Sequence, residues 1–193
     1  PQPGMLDTND FKEIHDLVTK KAPEDDVNKS ARKIQMNMNP HPAGQMEMNV
    51  PQQRGKILNG MQHKYDETVL FFPRQGQTCH AYCTYCFRWA QFIGIESIKF
   101  ASTNTEKLID YLQNHPEITD VLLTGGDPMF MQTKLLRRYI EPLLEKRPGN
   151  LSSIRIGTKS IAYWPYRFLT DNDSDDLMRL FEQIVANGFH LSI

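Results

Sequence analysis

The sequence predicts an α/β fold in which about four parallel strands alternate with helices, after a helical and irregular amino-terminal extension. Of its 193 residues, 39% are hydrophobic and 23% are charged, a composition typical of a globular domain with a sizeable core. Short apolar runs alternate with helix-like stretches, which is the pattern of right-handed βαβ units. Glycine-containing turns follow two of the predicted strands, at the points where the chain must leave a parallel sheet to enter the next helix.

The extension is predicted to span residues 1–64, and the core residues 65–193. Asp7 or Thr8 is suited to cap a first helix, which Pro23 ends. A second short helix is predicted for residues 23–36. The amino-terminal part is therefore expected to be helical before it becomes irregular.

The core contains four predicted strands, at residues 68–72, 119–123, 153–156 and 189–193. Thr103 and Glu106 have the spacing of a capping box, which predicts a helix start at that point. A further helix is predicted for about residues 131–146, and Asp173 or Ser174 is predicted to cap the next one. A helix thus separates each strand from the following strand.

Four such strands make about half of a TIM-type (β/α) barrel, which needs roughly 200–250 residues when complete. The fold class is therefore a partial barrel. Because the chain starts with Pro1 rather than Met and stops in a predicted strand, we expect a fragment of a longer protein. An incomplete barrel exposes an apolar edge, so we also expect poor solubility in isolation.

Charge and hydropathy argue against two classes of function. Lys and Arg number 22 against 23 Asp and Glu, a formal net charge of −1, which does not favour nucleic-acid binding. No apolar run is long enough to span a membrane, and no secretory leader opens the chain. We expect a soluble cytoplasmic protein.

The three cysteines, Cys79, Cys83 and Cys86, are clustered after the first predicted core strand. Three cysteines cannot pair off as disulfides, and close clustering indicates a metal or cluster site. Thiolates are the usual ligands of iron–sulfur clusters, and three of them would leave one iron of a 4Fe–4S cluster open. A zinc site completed by His80 and free structural thiols remain as alternatives.

Two motifs resemble those of the radical S-adenosylmethionine superfamily. The first is Gln77-Thr-Cys-His-Ala-Tyr-Cys-Thr-Tyr-Cys-Phe-Arg88, and the second is Leu122-Leu-Thr-Gly-Gly-Asp-Pro128. Together with Ile154-Arg-Ile-Gly-Thr158, they are similar to the lysine 2,3-aminomutase branch. The resemblance covers about residues 46–193 and supports the radical SAM barrel as the fold.

The resemblance implies a 4Fe–4S cluster, held by the three cysteines, whose open iron binds S-adenosyl-L-methionine. One-electron reduction would then yield a 5'-deoxyadenosyl radical that abstracts a hydrogen from an amino-acid-like substrate. It also implies a reducing electron donor, such as flavodoxin or ferredoxin, and a homo-oligomer as one possibility. The expected enzyme class is an aminomutase-like isomerase, although a fragment of it need not be active.

Five residues are implied to contact S-adenosylmethionine or to shape its site. Tyr85 is placed against adenine, unless it only packs the loop. Gly125 and Gly126 let backbone approach a ligand closely. Asp127 contacts the methionine ammonium, caps the following helix, or does both, and Pro128 suits the first helical position.

Three basic residues are implied or left open by the same resemblance. Arg88 is expected to bind the substrate carboxylate, with neutralisation of an anionic cluster as the alternative. Lys159 stands where relatives commonly have Arg, and Arg167 matches their Pro-x-Arg motif. The sequence assigns neither Lys159 nor Arg167 a role.

Pyridoxal phosphate (PLP) is the cofactor for which the resemblance is weakest. The branch has Tyr-x-x-Arg before the first core strand, whereas here Tyr65-Asp-Glu-Thr68 places Thr68 at the basic position. A radical SAM enzyme of this branch that uses no PLP is therefore a second hypothesis. A small zinc-binding interaction module is the third, non-enzymatic one.

Overall fold

The computed structural model describes residues 6–38, 44, 46–81, 83, 85–92, 94 and 96–193. In this part of the chain the strands are β1 (Gln52–Gln53), β2 (Lys56–Ile57), β3 (Met61–Tyr65), β4 (Thr68–Phe71), β5 (Asp120–Leu123), β6 (Ser153–Ile156) and β7 (His190–Ser192). The α-helices are α1 (Thr8–Thr19), α2 (Glu24–Asn37), α3 (Thr105–Gln113), α4 (Thr133–Lys146), α5 (Ser160–Tyr163), α6 (Tyr166–Leu169) and α7 (Ser174–Ala186). Short 3₁₀ turns include Arg74–Gly76, Trp89–Phe92 and Pro128–Phe130.

The main sheet has five strands in the order β3-β4-β5-β6-β7. Strands β4 to β7 are parallel, with Phe71 level with Leu123, and Leu123 level with Ile156. The predicted partial barrel of about four parallel strands is therefore confirmed. Strand β3 is an addition, because it pairs antiparallel with β4 through a two-residue turn.

The two faces of the sheet have different surroundings. One face is fully buried and joins the hydrophobic core that α3, α4 and α7 supply. Its strand residues are Val69, Phe71, Val121, Leu123, Ile154 and Ile156. On the opposite face Leu70, Leu122 and Arg155 are only partly buried. Burying a large aliphatic side chain contributes about 1.5–3 kcal/mol, so the helix-covered face holds the sheet together.

Several helix starts differ from the predictions. Asp7 caps α1 as expected, accepting hydrogen bonds from the backbone of the first turn. The cap of α3 is Asn104 and not Thr103, because the Asn104 carboxamide accepts from the Lys107 N–H at 3.0 Å. The start predicted near residue 131 lies at Thr133, because a 3₁₀ turn comes first.

The amino-terminal helices α1 and α2 pack on each other, and the Ser30 hydroxyl donates to Glu13 at 2.5 Å. Strand β3 crosses the predicted boundary at residue 64, and the division into two segments stays a prediction. Among the described residues, no helix combines the length and the apolar character needed to cross a membrane.

Candidate functional site

Three connections meet at the carboxyl ends of the parallel strands. The cluster loop is residues 77–88, which follow β4 after a 3₁₀ turn; Tyr82 and Thr84 in it lie outside the described residues. The glycine turn is Gly125-Gly126-Asp127, which follows β5. The β6 turn is Gly157-Thr158-Lys159, which follows β6. Parallel strands bring these connections to one edge, as the sequence predicts.

The three cysteines of the cluster loop are half-buried free thiols that line one cavity of about 300 Å³. The glycine turn and the β6 turn line the same cavity, as do Tyr85 and Arg88. Burial raises the pKa of Cys86 above its usual value, and the neighbouring Cys79 and Cys83 raise it further. Binding to a metal requires the thiolate, so loading this cavity would release protons.

A single metal ion and a cluster make different demands on such thiols. Among the described residues, no three His, Cys, Asp or Glu side chains converge as ligands of one ion would. In a 4Fe–4S cluster each thiolate binds a different iron, so the sulfurs need not converge on one point. Three soft donors around one cavity therefore fit a cluster better than zinc.

The glycine turn packs directly on the cluster loop. A Cβ atom at Gly125 would lie 2.0 Å from the Gln77 Nε2, and one at Gly126 would lie 2.2 Å from the Thr78 carbonyl oxygen. Gly125 also has a φ of +145°, which favours glycine. The close approach that these glycines allow is thus to the chain itself.

Asp127 is 1% exposed, and its carboxylate accepts three hydrogen bonds. It accepts from the Met129 N–H at 3.0 Å, from the Thr158 hydroxyl at 2.6 Å and from the Lys159 N–H at 2.8 Å. Its own N–H donates to the Thr78 carbonyl at 2.7 Å. Pro128 is buried and begins the 3₁₀ turn that Asp127 caps, so Pro128 supports the turn and is absent from the cavity lining.

Lys159 and Tyr85 form the exposed rim of the cavity. The Lys159 ammonium lies 5.9 Å from the centre of the Tyr85 ring. A hydrogen bond to the Tyr85 hydroxyl raises the pKa of Lys159 above its usual value. Tyr85 is 72% exposed, so one aromatic face is open beside a fixed positive charge.

Arg88 is a half-buried cation held by neutral groups. Its Nη2 donates to the Gln62 Oε1 at 2.6 Å, and its Nη1 donates to the Gln91 Oε1 at 3.1 Å. The guanidinium stacks on Phe72 at 4.6 Å and lies 5.5 Å from the ring of Phe87. Within the described part of the chain, no carboxylate lies within 4 Å of it, and burial lowers its pKa to about 10.

Arg167 lies apart from the thiols, beside a larger cavity of about 430 Å³. It is 2% exposed and donates to Asp173 and to the carbonyl oxygens of Met129 and Met131. Asp173 occupies the N-cap position of α7, as predicted, but its side chain makes no capping hydrogen bond to that helix and instead accepts from the Thr133 N–H at 2.6 Å. Arg167 fastens this region rather than lining the thiol cavity.

The sequence did not reveal that Gln62 and Gln91 belong to the site. It also did not reveal the role of the Thr158 hydroxyl. Gln62 lies on β3, which the sequence did not predict, and Gln91 lies in a 3₁₀ turn after the cluster loop. Thr158 stands inside a motif that the sequence does reveal. Only the distance to Asp127 across the sheet edge shows what its hydroxyl does.

Comparisons with known proteins agree with this geometry. A family model described as a 4Fe-4S single cluster domain matches residues 67–184. A protein of Aquifex aeolicus named "Putative L-lysine 2,3-aminomutase" is 38% identical over 125 residues, which are 65% of this chain and 31% of that protein. The L-lysine 2,3-aminomutase of Clostridium subterminale is 29% identical over 151 residues, which are 78% of this chain and 35% of that enzyme.

The chain belongs to the lysine 2,3-aminomutase-like radical SAM family. A third member, from Bacillus subtilis, is 32% identical over 134 residues, which are 69% of this chain and 27% of that L-lysine 2,3-aminomutase. The chain thus spans about a third of the length of the curated family members that it matches. The residues that match the 4Fe-4S single cluster domain include the three cysteines that line the thiol cavity.

Proposed function

We propose that this chain carries the cluster- and nucleotide-binding part of a radical SAM enzyme that abstracts a hydrogen from an amino-acid-like substrate. The observation that carries the proposal is the single cavity lined by three thiols, the glycine turn and the β6 turn. Relatives named L-lysine 2,3-aminomutase support an aminomutase-like isomerase. An external electron donor, such as flavodoxin or ferredoxin, belongs to the same proposal.

Cys79, Cys83 and Cys86 would each bind a different iron and leave the fourth without a protein ligand. When bound, the reduced cluster and S-adenosylmethionine supply the one-electron chemistry that removes a hydrogen atom from the substrate. The contribution of the protein is to hold the cofactors and to exclude water. Ala81 and Phe92, which are buried apolar residues of the cavity lining, serve that second task.

The rim of the cavity has the chemistry to bind the nucleotide. Lys159 places an ammonium at the rim, where it suits the methionine carboxylate of S-adenosylmethionine. Tyr85 presents an open aromatic face, which suits the adenine ring. The two groups lie on the same side of the cavity, with the Lys159 ammonium 5.9 Å from the centre of the Tyr85 ring.

Arg88 has the properties of a residue that receives a substrate carboxylate. It lines the thiol cavity and also a neighbouring cavity of about 280 Å³ that Lys64 and Leu70 help to line. Because Gln62 and Gln91 are neutral, the positive charge of Arg88 is not cancelled by its supports. A planar guanidinium with an uncancelled charge suits a carboxylate.

One observation favours the variant of this function that uses no PLP. Thr68, at the position where the branch has a basic residue, donates its hydroxyl to Asp120 at 3.0 Å. Asp120 is in turn ion-paired with Arg155. The side chain of Thr68 therefore belongs to a polar network of the sheet, and it brings no positive charge of its own to a phosphate. Extraction of the holoprotein should yield no pyridoxal absorbance, and a Schiff-base band would instead support the aminomutase form.

The test of the proposal is anaerobic reconstitution of the metal-free protein with iron and sulfide. We expect a brown protein with about four irons and four acid-labile sulfides per chain. Cys79→Ala, Cys83→Ala and Cys86→Ala should each lower the iron content strongly. After reduction, the wild type should cleave added S-adenosylmethionine to methionine and 5'-deoxyadenosine.

His80→Asn is the matched control in the same loop. A cluster held by three thiolates keeps its iron in this variant, whereas a zinc site completed by His80 loses its metal. Zinc without iron or sulfide in the wild type would overturn the proposal. So would an unchanged iron content in any of the three cysteine variants.

A further inference from the structure

Asp127 lies in the glycine turn and makes hydrogen bonds to both of the other connections of the site. Its carboxylate binds the β6 turn through Thr158 and Lys159, and its N–H binds the cluster loop through Thr78. Asp127 itself belongs to the glycine turn. Three hydrogen bonds of Asp127 therefore join segments that are far apart in the sequence.

The carboxylate has little left with which to bind a ligand. A carboxylate offers about four acceptor positions, and three are used within the chain at 2.6 to 3.0 Å. Asp127 is also 1% exposed. Direct pairing with an ammonium would strip acceptors from the buried donors around it, and leaving such donors unsatisfied is costly.

The network continues from Asp127 into the next helix. The Thr158 hydroxyl donates to Asp127 and accepts from the Ser160 N–H at 2.9 Å. Ser160 is fully buried and begins α5. Lys159, between them, has its N–H fixed by the same carboxylate, so its direction at the rim depends on Asp127.

The cluster loop is held from the other side of Asp127. The bond from the Asp127 N–H to the Thr78 carbonyl lies next to Cys79 in sequence. The absence of a side chain at Gly126 lets these two backbones approach. A shift of Asp127 would therefore move the first thiol and the ammonium of Lys159 together.

We propose that Asp127 is a positioning residue that binds the cluster loop to the β6 turn and thereby sets the affinity for S-adenosylmethionine, without contacting the nucleotide. This inference rests on the proposed function and deepens it. It differs from the expectation that Asp127 holds the methionine ammonium. In a positioning role, Asp127 and Thr158 act as one unit, whereas in direct binding Asp127 acts alone.

The experiment is a double-mutant cycle with Asp127→Asn and Thr158→Val in the reconstituted holoprotein. S-adenosylmethionine is titrated against the oxidised cluster, which keeps the nucleotide intact, and the dissociation constant is measured by calorimetry. We expect each single variant to weaken binding about tenfold, and the double variant to be little worse than either, because one network is broken in all three. Thr158→Ser keeps the hydroxyl and should restore the wild-type affinity.

A second measurement needs no cofactor. Hydrogen exchange in the metal-free protein should show faster exchange at the Lys159 and Ser160 amides in Asp127→Asn than in the wild type. The exchange rates of the α3 amides should be unchanged. This control separates loss of the Asp127 hydrogen bonds from general unfolding. Failure of the wild type to take up iron would count against the proposed function. Unchanged exchange at the Lys159 amide in Asp127→Asn would count against the positioning role of Asp127.

Direct contact predicts a different pattern. Thr158→Val would then leave the dissociation constant unchanged, Asp127→Asn would weaken binding, and their effects would add. That result would overturn the inference. So would an Asp127→Asn variant that binds S-adenosylmethionine with wild-type affinity.

Discussion

Arg88 and Arg167 both lie near the carboxyl ends of the sheet strands, but the surroundings of Arg88 are neutral and those of Arg167 include a carboxylate. Arg167 is almost completely buried and meets the carboxylate of Asp173, the Thr133 hydroxyl and two carbonyl oxygens. Arg88 is half-buried and meets two carboxamides and two aromatic rings. Of these two arginines, only Arg167 is paired with a carboxylate among the described residues.

The difference separates a structural arginine from one that is ready for a ligand. A buried cation that meets a carboxylate has little potential left for another anion. A cation held by neutral amides keeps its charge, at the cost of a pKa lowered to about 10 by burial. The charge of the groups around a buried cation, rather than its burial alone, therefore indicates whether it can bind an anionic ligand.

The largest expected effect is the loss of stability in Arg167→Met. Removing the guanidinium leaves the Asp173 carboxylate without its cationic partner and takes a donor from two buried carbonyl oxygens, so the free energy of unfolding should fall by about 3 kcal/mol. Urea denaturation at neutral pH measures this fall. Arg88→Met is the matched control and should cost about 1 kcal/mol, because it strands no charge. Equal losses in the two variants would remove the distinction between these arginines.

Next in size is the pH dependence of Asp173→Asn. Burial opposes ionisation of Asp173, but hydrogen bonds from Thr133 and the charge of Arg167 lower its pKa below the usual value. Its stabilisation is thus fully present above the unfolded pKa of about 3.9 and is lost as the pH falls through the lower folded value. At pH 7 the variant should be less stable by about 2 kcal/mol.

Denaturation of both proteins at pH 7, 5 and 3 tests this prediction. The difference in the free energy of unfolding between wild type and Asp173→Asn should persist at pH 5. It should narrow at pH 3, because Asp173 of the wild type then begins to be protonated. Asp171→Asn, in the same connection but outside the Arg167 contacts, should match the wild type throughout. A difference that grows at low pH would show that the sign is wrong.

A smaller effect is expected in the chemical reactivity of Arg88. Phenylglyoxal reacts with the neutral guanidine, and a pKa lowered to about 10 by burial enlarges the neutral fraction at pH 8.5. Peptide mapping should show Arg88 modified about tenfold faster in the wild type than in Gln91→Glu, since the new carboxylate favours the cation. Gln183→Glu, beside Arg137, should leave the rate at Arg88 unaltered. Identical rates in wild type and Gln91→Glu would contradict the prediction.

The smallest effect should come from breaking the ion pair between Asp176 and a third arginine, Arg137, near the protein surface. Arg137 donates to Asp176 at 2.6 Å and to Glu141 at 2.9 Å, and the Asp176 side chain is 41% exposed. Exposed pairs contribute little, so Asp176→Asn should cost less than about 1 kcal/mol in the same urea assay. A loss as large as that of Arg167→Met would mean that burial does not separate these pairs.

The parallel core and the cluster loop could be predicted because their signals are local. Apolar runs mark the four parallel strands, and the spacing of Cys79, Cys83 and Cys86 marks the thiol cavity. Strand β3 escaped prediction because Gln62, His63 and Lys64 interrupt its apolar pattern. It forms because β4 offers a pairing edge, which no local pattern reveals.

The electrostatics of the site could not be predicted, because they depend on pairs distant in sequence. The sequence shows Asp127 beside two glycines, but its partners Thr158 and Lys159 come from another strand end. Arg167 was visible as part of a motif, and only its contact with Asp173 shows that it is structural. Capping by Asn104 in place of Thr103 differs by one residue, which is within the usual uncertainty of helix starts.

The antiparallel pairing of β3 with β4 has a consequence for the order of folding. It joins Tyr65 to Thr68, close neighbours in the chain, whereas β4 must find Asp120 and its strand across a whole crossover. Hairpins close within microseconds, and contacts between distant segments form more slowly. The strand that leads into the three thiols is therefore anchored before the glycine turn arrives, so newly made chains expose those thiols to iron donors and to oxidants for a time.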